Sequence, residues 1–318
     1  MQRLTSRLRR RLAREEGASA VMVAVLLVPM LGFAAIAVDI GALYAERARL
    51  QVAADAAAIA VAQDCARGNC GDMLATATAL LRANDPEGTA GQPVLGTDPI
   101  SVTVTGSTPK EHWFAPIIGH ESTAVSASAT VGWGGPTGGT AMLPLAFSWC
   151  SFKQQTGGGL PSTTTLQVIK LSKSDGTTCT GPSGNAIPGG FGFVETDGSG
   201  CEATSSVDEP LQSDPGESPP QGCDATDFAA MVGETVLMPI YERYGGTGTS
   251  GWYEVYGYAA FRLTGYHFTG QFKTEPKPCS GNVRCVSGYF TRFVELSDAW
   301  SYSPDAPALG ASVLRLIR

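Results

Sequence analysis

The stretch that most constrains this chain is "GASAVMVAVLLVPMLGFAAIAV", residues 17 to 38, twenty-two positions without one charged side chain. As a helix rising about 1.5 Å per residue it reaches about 33 Å, enough to cross a hydrocarbon core about 30 Å thick. A secretory signal carries an apolar run of only about 7 to 15 residues. Length therefore favours an anchor, yet Ala35-Ile36-Ala37 has the small-x-small form of a cleavage site. Two fates stay open: retention in the membrane, or release after Ala37.

Arg3, Arg7, Arg9, Arg10, Arg11 and Arg14 precede the span. The positive-inside rule keeps residues 1–16 in the cytoplasm and exports the chain beyond Asp39. Leu4, Leu8 and Leu12 recur every four residues beside these arginines, which suits a basic amphipathic helix on anionic lipid or a plain orientation signal. Pro29 and Gly32 predict a mild bend within the span. After Asp39 the helix is expected to continue toward Gly68 as a rod of roughly forty-five residues in all. Glu46, Arg47, Arg49 and Asp55 would keep this part in water. Seven alanines between Ala53 and Ala62 either offer a smooth face for another helix or simply supply helix propensity.

Charge separates the two ends. The net charge is -7, but the first sixteen residues hold six arginines and two glutamates, so the remainder carries -11. A body that acidic lacks the basic patch from which nucleic-acid affinity comes, and no nucleic-acid partner is expected. All eight cysteines, Cys65, Cys70, Cys150, Cys179, Cys201, Cys223, Cys279 and Cys285, lie after the apolar run. That distribution fits a disulfide framework on the oxidising side of a membrane. Cys65 with Cys70, Cys201 with Cys223 and Cys279 with Cys285 are candidate short-range pairs among the 105 connectivities that eight cysteines allow.

The exported part reads as β-rich. "ISVTVT" (100–105) and the series Val125, Ala127, Ala129, Val131 alternate with period two, as half-buried strands do. With a helix near Met73–Leu81 they predict a small α+β module over residues 39–133. "GGPTGGT" reads as a flexible boundary, giving a linker at 134–141. Residues 142–318 hold short runs rich in β-formers between turn residues, which predicts an antiparallel sandwich or partly closed barrel. Residues 205–222, with four acids and four prolines, read as a mobile loop. Trp252, Tyr253, Tyr256, Tyr258, Phe261, Tyr266 and Phe268 form either a sugar-stacking platform or, more simply, strand core.

Signs of catalysis are few. His112, His120 and His267 lack the spacing of a two-histidine zinc helix, and neither a nucleophile elbow nor a phosphate loop occurs. His112 and His120 could share a metal only if "WFAPIIG" folded back between them. Glu195, Asp197 and Glu202 are the nearest thing to an acid and base pair, but closeness in sequence does not make a cleft. No enzyme activity, cofactor, metal or small-molecule substrate is expected.

The run "EEGASAVMVAVLLVPMLGFAAIAVDIGALYAERARLQVAADAAAIAVA" resembles the N-terminal region of TadG-like proteins of the Flp (tight adherence) pilus assembly system. The likeness rests on Gly17, Asp39, Gly41, Tyr44, Leu50, Gln51, Ala53, Ala54, Asp55, Ala56, Ala57 and Ala58. "HWFAPIIGHESTAVSASATVGW" (112–133) is similar to the end of the same module, an apolar turn leading into a V-x-A-x-A-x-V strand. The resemblance implies a bacterial single-pass membrane protein that helps assemble or anchor an adhesive pilus. Its partners would be the lipid bilayer and pilins or other assembly proteins. Related pseudopilins carry Glu five residues after a processing glycine, whereas Met22 stands there here, so cleavage at Gly17 is not expected. Some relatives add a metal-binding domain marked D-x-S-x-S; "DGSGC" at Asp197 departs from it and reads as a turn. The alternative function is a secreted surface enzyme or carbohydrate-binding adhesin released after Ala37.

Overall fold

The computed structural model describes residues 2–317, and side chains from residue 19 to residue 317. Gly17 and the arginine and leucine side chains of the basic tail, with the readings placed on them, lie outside the described side chains. The architecture is α+β: a long N-terminal helix leading into β-rich structure with curled sheets. The described residues form two compact units, one of residues 2–57, 74–93 and 104–129, the other of residues 58–73, 94–103 and 130–317.

Helix α1 runs without interruption from Gln2 to Ala66. It contains a candidate membrane span in Ser19–Ala66, with a window of mean hydropathy 2.7 of which nothing is buried. Farther along, burial begins with Asp39 and Glu46 and becomes dense at Leu50, Ala53, Ala54 and Ala57. These positions succeed one another at helical spacing, so α1 turns a single stripe inward past the apolar run. The rest of the first unit supplies the cover for that stripe. It comprises helix α2 (Met73–Asn84) from Leu74 onward, residues 104–111 of the strand Ile100–Glu111, and residues 122–129 of the strand Ser122–Ala141. At Gly106 a Cβ would stand 2.6 Å from Leu81 Cδ2 and 3.2 Å from Leu50 Cδ1. A strand that close to two helices leaves room for glycine only.

The second unit is built on a seven-stranded sheet in the order Leu211–Asp214, Phe191–Val194, Leu145–Ser148, Thr235–Gly245, Trp252–His267, Cys285–Thr291, Gln167–Lys170. Leu211 also pairs with Tyr253, so the first five strands close on themselves as a partial barrel. The pairing is mixed, a correction to the antiparallel expectation. Ile240 faces Phe147 in a parallel pair, and Phe293–Glu295 runs parallel to Ala311–Ile317 outside this sheet. One core is packed with Phe147, Phe152, Phe191, Phe228, Phe261 and Phe290. Phe147 meets Phe261 at 4.8 Å and Phe290 edge-on at 5.6 Å, separations at which ring quadrupoles attract. A second core contains Tyr258 against Trp300. Burial pushes the Tyr258 hydroxyl up to about 12, opposed by its hydrogen bond with Ser205.

Two segments differ from their reading in the sequence. "GGPTGGT" is not a flexible boundary: Gly134–Thr140 belongs to the strand Ser122–Ala141. Its glycines serve close approach, since a Cβ on Gly134 would overlap the Ser303 carbonyl and one on Gly139 would meet the Trp300 ring. Residues 205–222 are not one mobile loop either, because Leu211–Asp214 is a strand of the barrel and Leu211 is buried. The cysteines pair as Cys65–Cys70, Cys150–Cys179, Cys201–Cys223 and Cys279–Cys285. Cys150–Cys179 joins the helix Trp149–Thr156 to the hairpin Thr178–Thr180/Ala186–Pro188, a link the short-range reading left out.

Candidate functional site

The site lies in the first unit, where α1 leaves its apolar run. Asp39 is the first charged residue after twenty-two uncharged ones. Opposite it, "HWFAPIIG" links the strands Ile100–Glu111 and Ser122–Ala141. Pro116 fixes φ near the start of a short 3-10 helix, Ala115–Ile118, and Gly119 ends it with a left-handed φ of 89°. A turn of this kind leaves N–H groups at its start with no partner of their own.

Asp39 supplies the partner. Its Oδ1 accepts from the Trp113 N–H at 2.9 Å, and its Oδ2 from those of Phe114 at 3.1 Å and Ala115 at 2.8 Å. The carboxylate, 6% exposed, thereby clamps a turn seventy-four residues away in sequence. Desolvation disfavours its charged form. The N–H donors of Trp113, Ala115 and Phe114, with His112 nearby, outweigh that and hold the carboxyl below its ordinary range.

Further contacts lie down the same helix. Lys110 Nζ lies 3.0 Å from the buried Glu46, which Arg49 approaches at 3.7 Å. The Gln51 side-chain amide donates to Asp55 at 2.8 Å and to the Ser128 carbonyl at 3.1 Å. The family-motif residues thus divide. Asp39, Leu50, Gln51, Ala53, Ala54 and Ala57 hold the first unit together, Asp55 assists through Gln51, Ala56 is half-buried, and Ala58 is buried within the second unit. Gly41 and Tyr44 do neither. A Cβ on Gly41 would touch nothing, and Tyr44 is 72% exposed.

Beside the clamp is an apolar groove whose walls include Gly32, Ala35 and Ile36 of α1 and Phe114, Ile117 and Ile118 of the turn. His112 and His120 also reach it, and His112 Nε2 is hydrogen-bonded to Thr123 at 2.8 Å.

Elsewhere the chemistry hinted at by the sequence does not assemble. Glu195, Asp197 and Glu202 are all exposed. Asp197 forms a turn, accepting from Thr204 and donating its N–H to the Glu202 carbonyl. Cys201, Cys223 and Asp227 come together, but the two sulfurs are joined to each other and are not thiolate ligands. Tyr258, Phe261, Tyr266 and Phe268 are buried, so they are core and not a stacking platform.

Residues 17–64, the stretch that holds the bare apolar run, Asp39 and the buried stripe, match the family model described as "Putative Flp pilus-assembly TadE/G-like". This segment is similar to the Tad family. The match covers the span and most of the soluble part of α1, and it likens that segment, 48 residues of 318, to a pilus-assembly family. The family is a pilus-assembly accessory domain and not a known enzyme family. Comparison with curated proteins and with solved structures finds no match. The Tad segment was legible because its apolar run, Asp39 and alanine series are contiguous. The turn that Asp39 holds was not, although an acid directly after an apolar span is a signal that a distant donor set exists.

Proposed function

We propose that this protein is a single-pass membrane component of Flp pilus assembly or anchoring, working through protein contacts and not through catalysis. One observation carries the reading. Within the single matched segment, α1 passes from an apolar run in which nothing is buried to a buried stripe, with Asp39 at the change. Bare apolar surface over that length calls for lipid, and a buried stripe calls for a folded partner in water. The arginines before the span orient it with the basic tail inside and the disulfide-bearing body outside. Gly41 and Tyr44, family residues that the fold of this chain leaves bare, are the proposed contact for a pilin or another assembly subunit.

Deleting the chain is expected to abolish surface pili, with restoration by the wild-type gene. A Tyr44→Ala copy should restore membrane-inserted protein but few pili, because an exposed side chain contributes little to folding. Normal pili in the deletion strain would reject the reading. Full restoration by Tyr44→Ala would reject the contact surface alone.

A further inference from the structure

We infer that the turn Trp113–Ile118 is a second membrane contact, an apolar wedge seated in the extracytoplasmic leaflet beside α1. This rests on the anchor reading above and goes beyond it, because the turn lies outside the Tad match.

Four large apolar side chains sit on these six residues, and they face outward: Trp113 is 73% exposed, Ile117 85% and Ile118 73%, with Phe114 less so. Polar groups flank the turn at His112 and His120, and no charged residue lies between them. A connecting turn in water has no reason to be built this way; such a patch marks a surface that something covers.

The clamp fixes where the patch lies. The groove under the turn reaches back along α1 to Gly32, seven residues before Asp39, or about 10 Å of helix rise. Amphipathic elements at a bilayer surface reach a depth of about 5–10 Å. The wedge also shares that groove with Ile36, an exposed side chain of the apolar run. The occupant is therefore the same lipid that covers the run, and Trp113 stands where indole rings are favoured, at the headgroup boundary.

Backbone chemistry agrees. Irregular chain near hydrocarbon is costly unless its polar groups are satisfied. Here the His112 N–H donates to the Glu121 carbonyl, and the next three go to Asp39. Pro116 has no N–H, and those of Ile117, Gly119 and His120 meet carbonyls of the turn itself. A carboxylate just past the apolar run thus prepares the turn for a place at the bilayer surface.

The test uses the full chain, disulfides intact, in phosphatidylcholine–phosphatidylglycerol vesicles with bromine at defined depths on the acyl chains. An environment-sensitive fluorophore is attached to one added thiol at a time: Ile117→Cys, Leu27→Cys or Ser126→Cys. The Ile117 label should be blue-shifted and quenched most by shallow bromines. The Leu27 label should be quenched most by deep ones, and the Ser126 label by neither. Quenching at Leu27 without quenching at Ile117 overturns the wedge and leaves the anchor standing. A blue-shifted but unquenched Ile117 label means that protein, such as a second copy, covers the patch, which also overturns it. Absence of quenching at Leu27 sinks the anchor reading itself. The same label at Ile118, the exposed neighbour in the turn, guards against a local effect of the Ile117 change.

Discussion

Asp39→Ala releases the Trp113–Ile118 turn while α1 persists. Alanine is the better helix former, so the helix is not weakened at that position. The amides of Trp113, Phe114 and Ala115 lose their common acceptor, and their hydrogen exchange should rise to that of an open loop. Amides at Leu50 and Ala53 stay protected. Asp39→Asn keeps one acceptor oxygen and should lie between the two. The wild-type clamp also has a pH signature. Because the folded carboxyl titrates below its ordinary value near 3.8, the stabilisation is fully present above that value. It is lost as pH falls through the lower folded pKa, so the turn loosens only in strong acid. Unchanged exchange at Trp113 in Asp39→Ala would remove the clamp from the account.

Gly134→Ala is expected to destabilise the second unit strongly. A Cβ there overlaps the carbonyl of Ser303 and lies 2.8 Å from Pro304 N, all backbone, which cannot swing aside as a long side chain can. Relief requires the strand Ser122–Ala141 to part from Ser301–Ser303, its antiparallel neighbour. Overpacking of this kind costs about 1–3 kcal/mol or more. Gly159→Ala is the control, since its nearest neighbour is the Thr156 carbonyl at 3.9 Å, and it should change stability by less than about 0.5 kcal/mol. Thermal melts of the two variants decide the matter, and equal melting would show that "GGPTGGT" tolerates side chains as a flexible segment does.

Much of this molecule is visible in its sequence, for reasons that are local. An uncharged run of twenty-two residues needs no tertiary information to be recognised as a span. Alternation at Val125, Ala127, Ala129 and Val131 gives the buried face of a strand directly, and all four are buried. Glycine is where the reading fails. The same residue serves a loose linker and a strand pressed against a neighbour's backbone, and only the neighbour, Ser303 or Trp300, tells which. The acid- and proline-rich stretch misled for a similar reason. Its one leucine, Leu211, is the residue that enters the barrel and pairs with Tyr253. Parallel pairing of Ile240 with Phe147 joins segments ninety-three positions apart and leaves no periodic mark in either. Asp39 falls between these cases, since its charge is conspicuous but its partners are backbone groups that any sequence would supply.

As an anchor, the apolar run stays attached to the body and stays in lipid. Intact mass of the chain recovered from carbonate-washed membranes measures both at once. The expected species still contains residues 17–37 and remains with the lipid pellet. A chain that begins at Val38 and leaves with the wash would contradict the anchor reading.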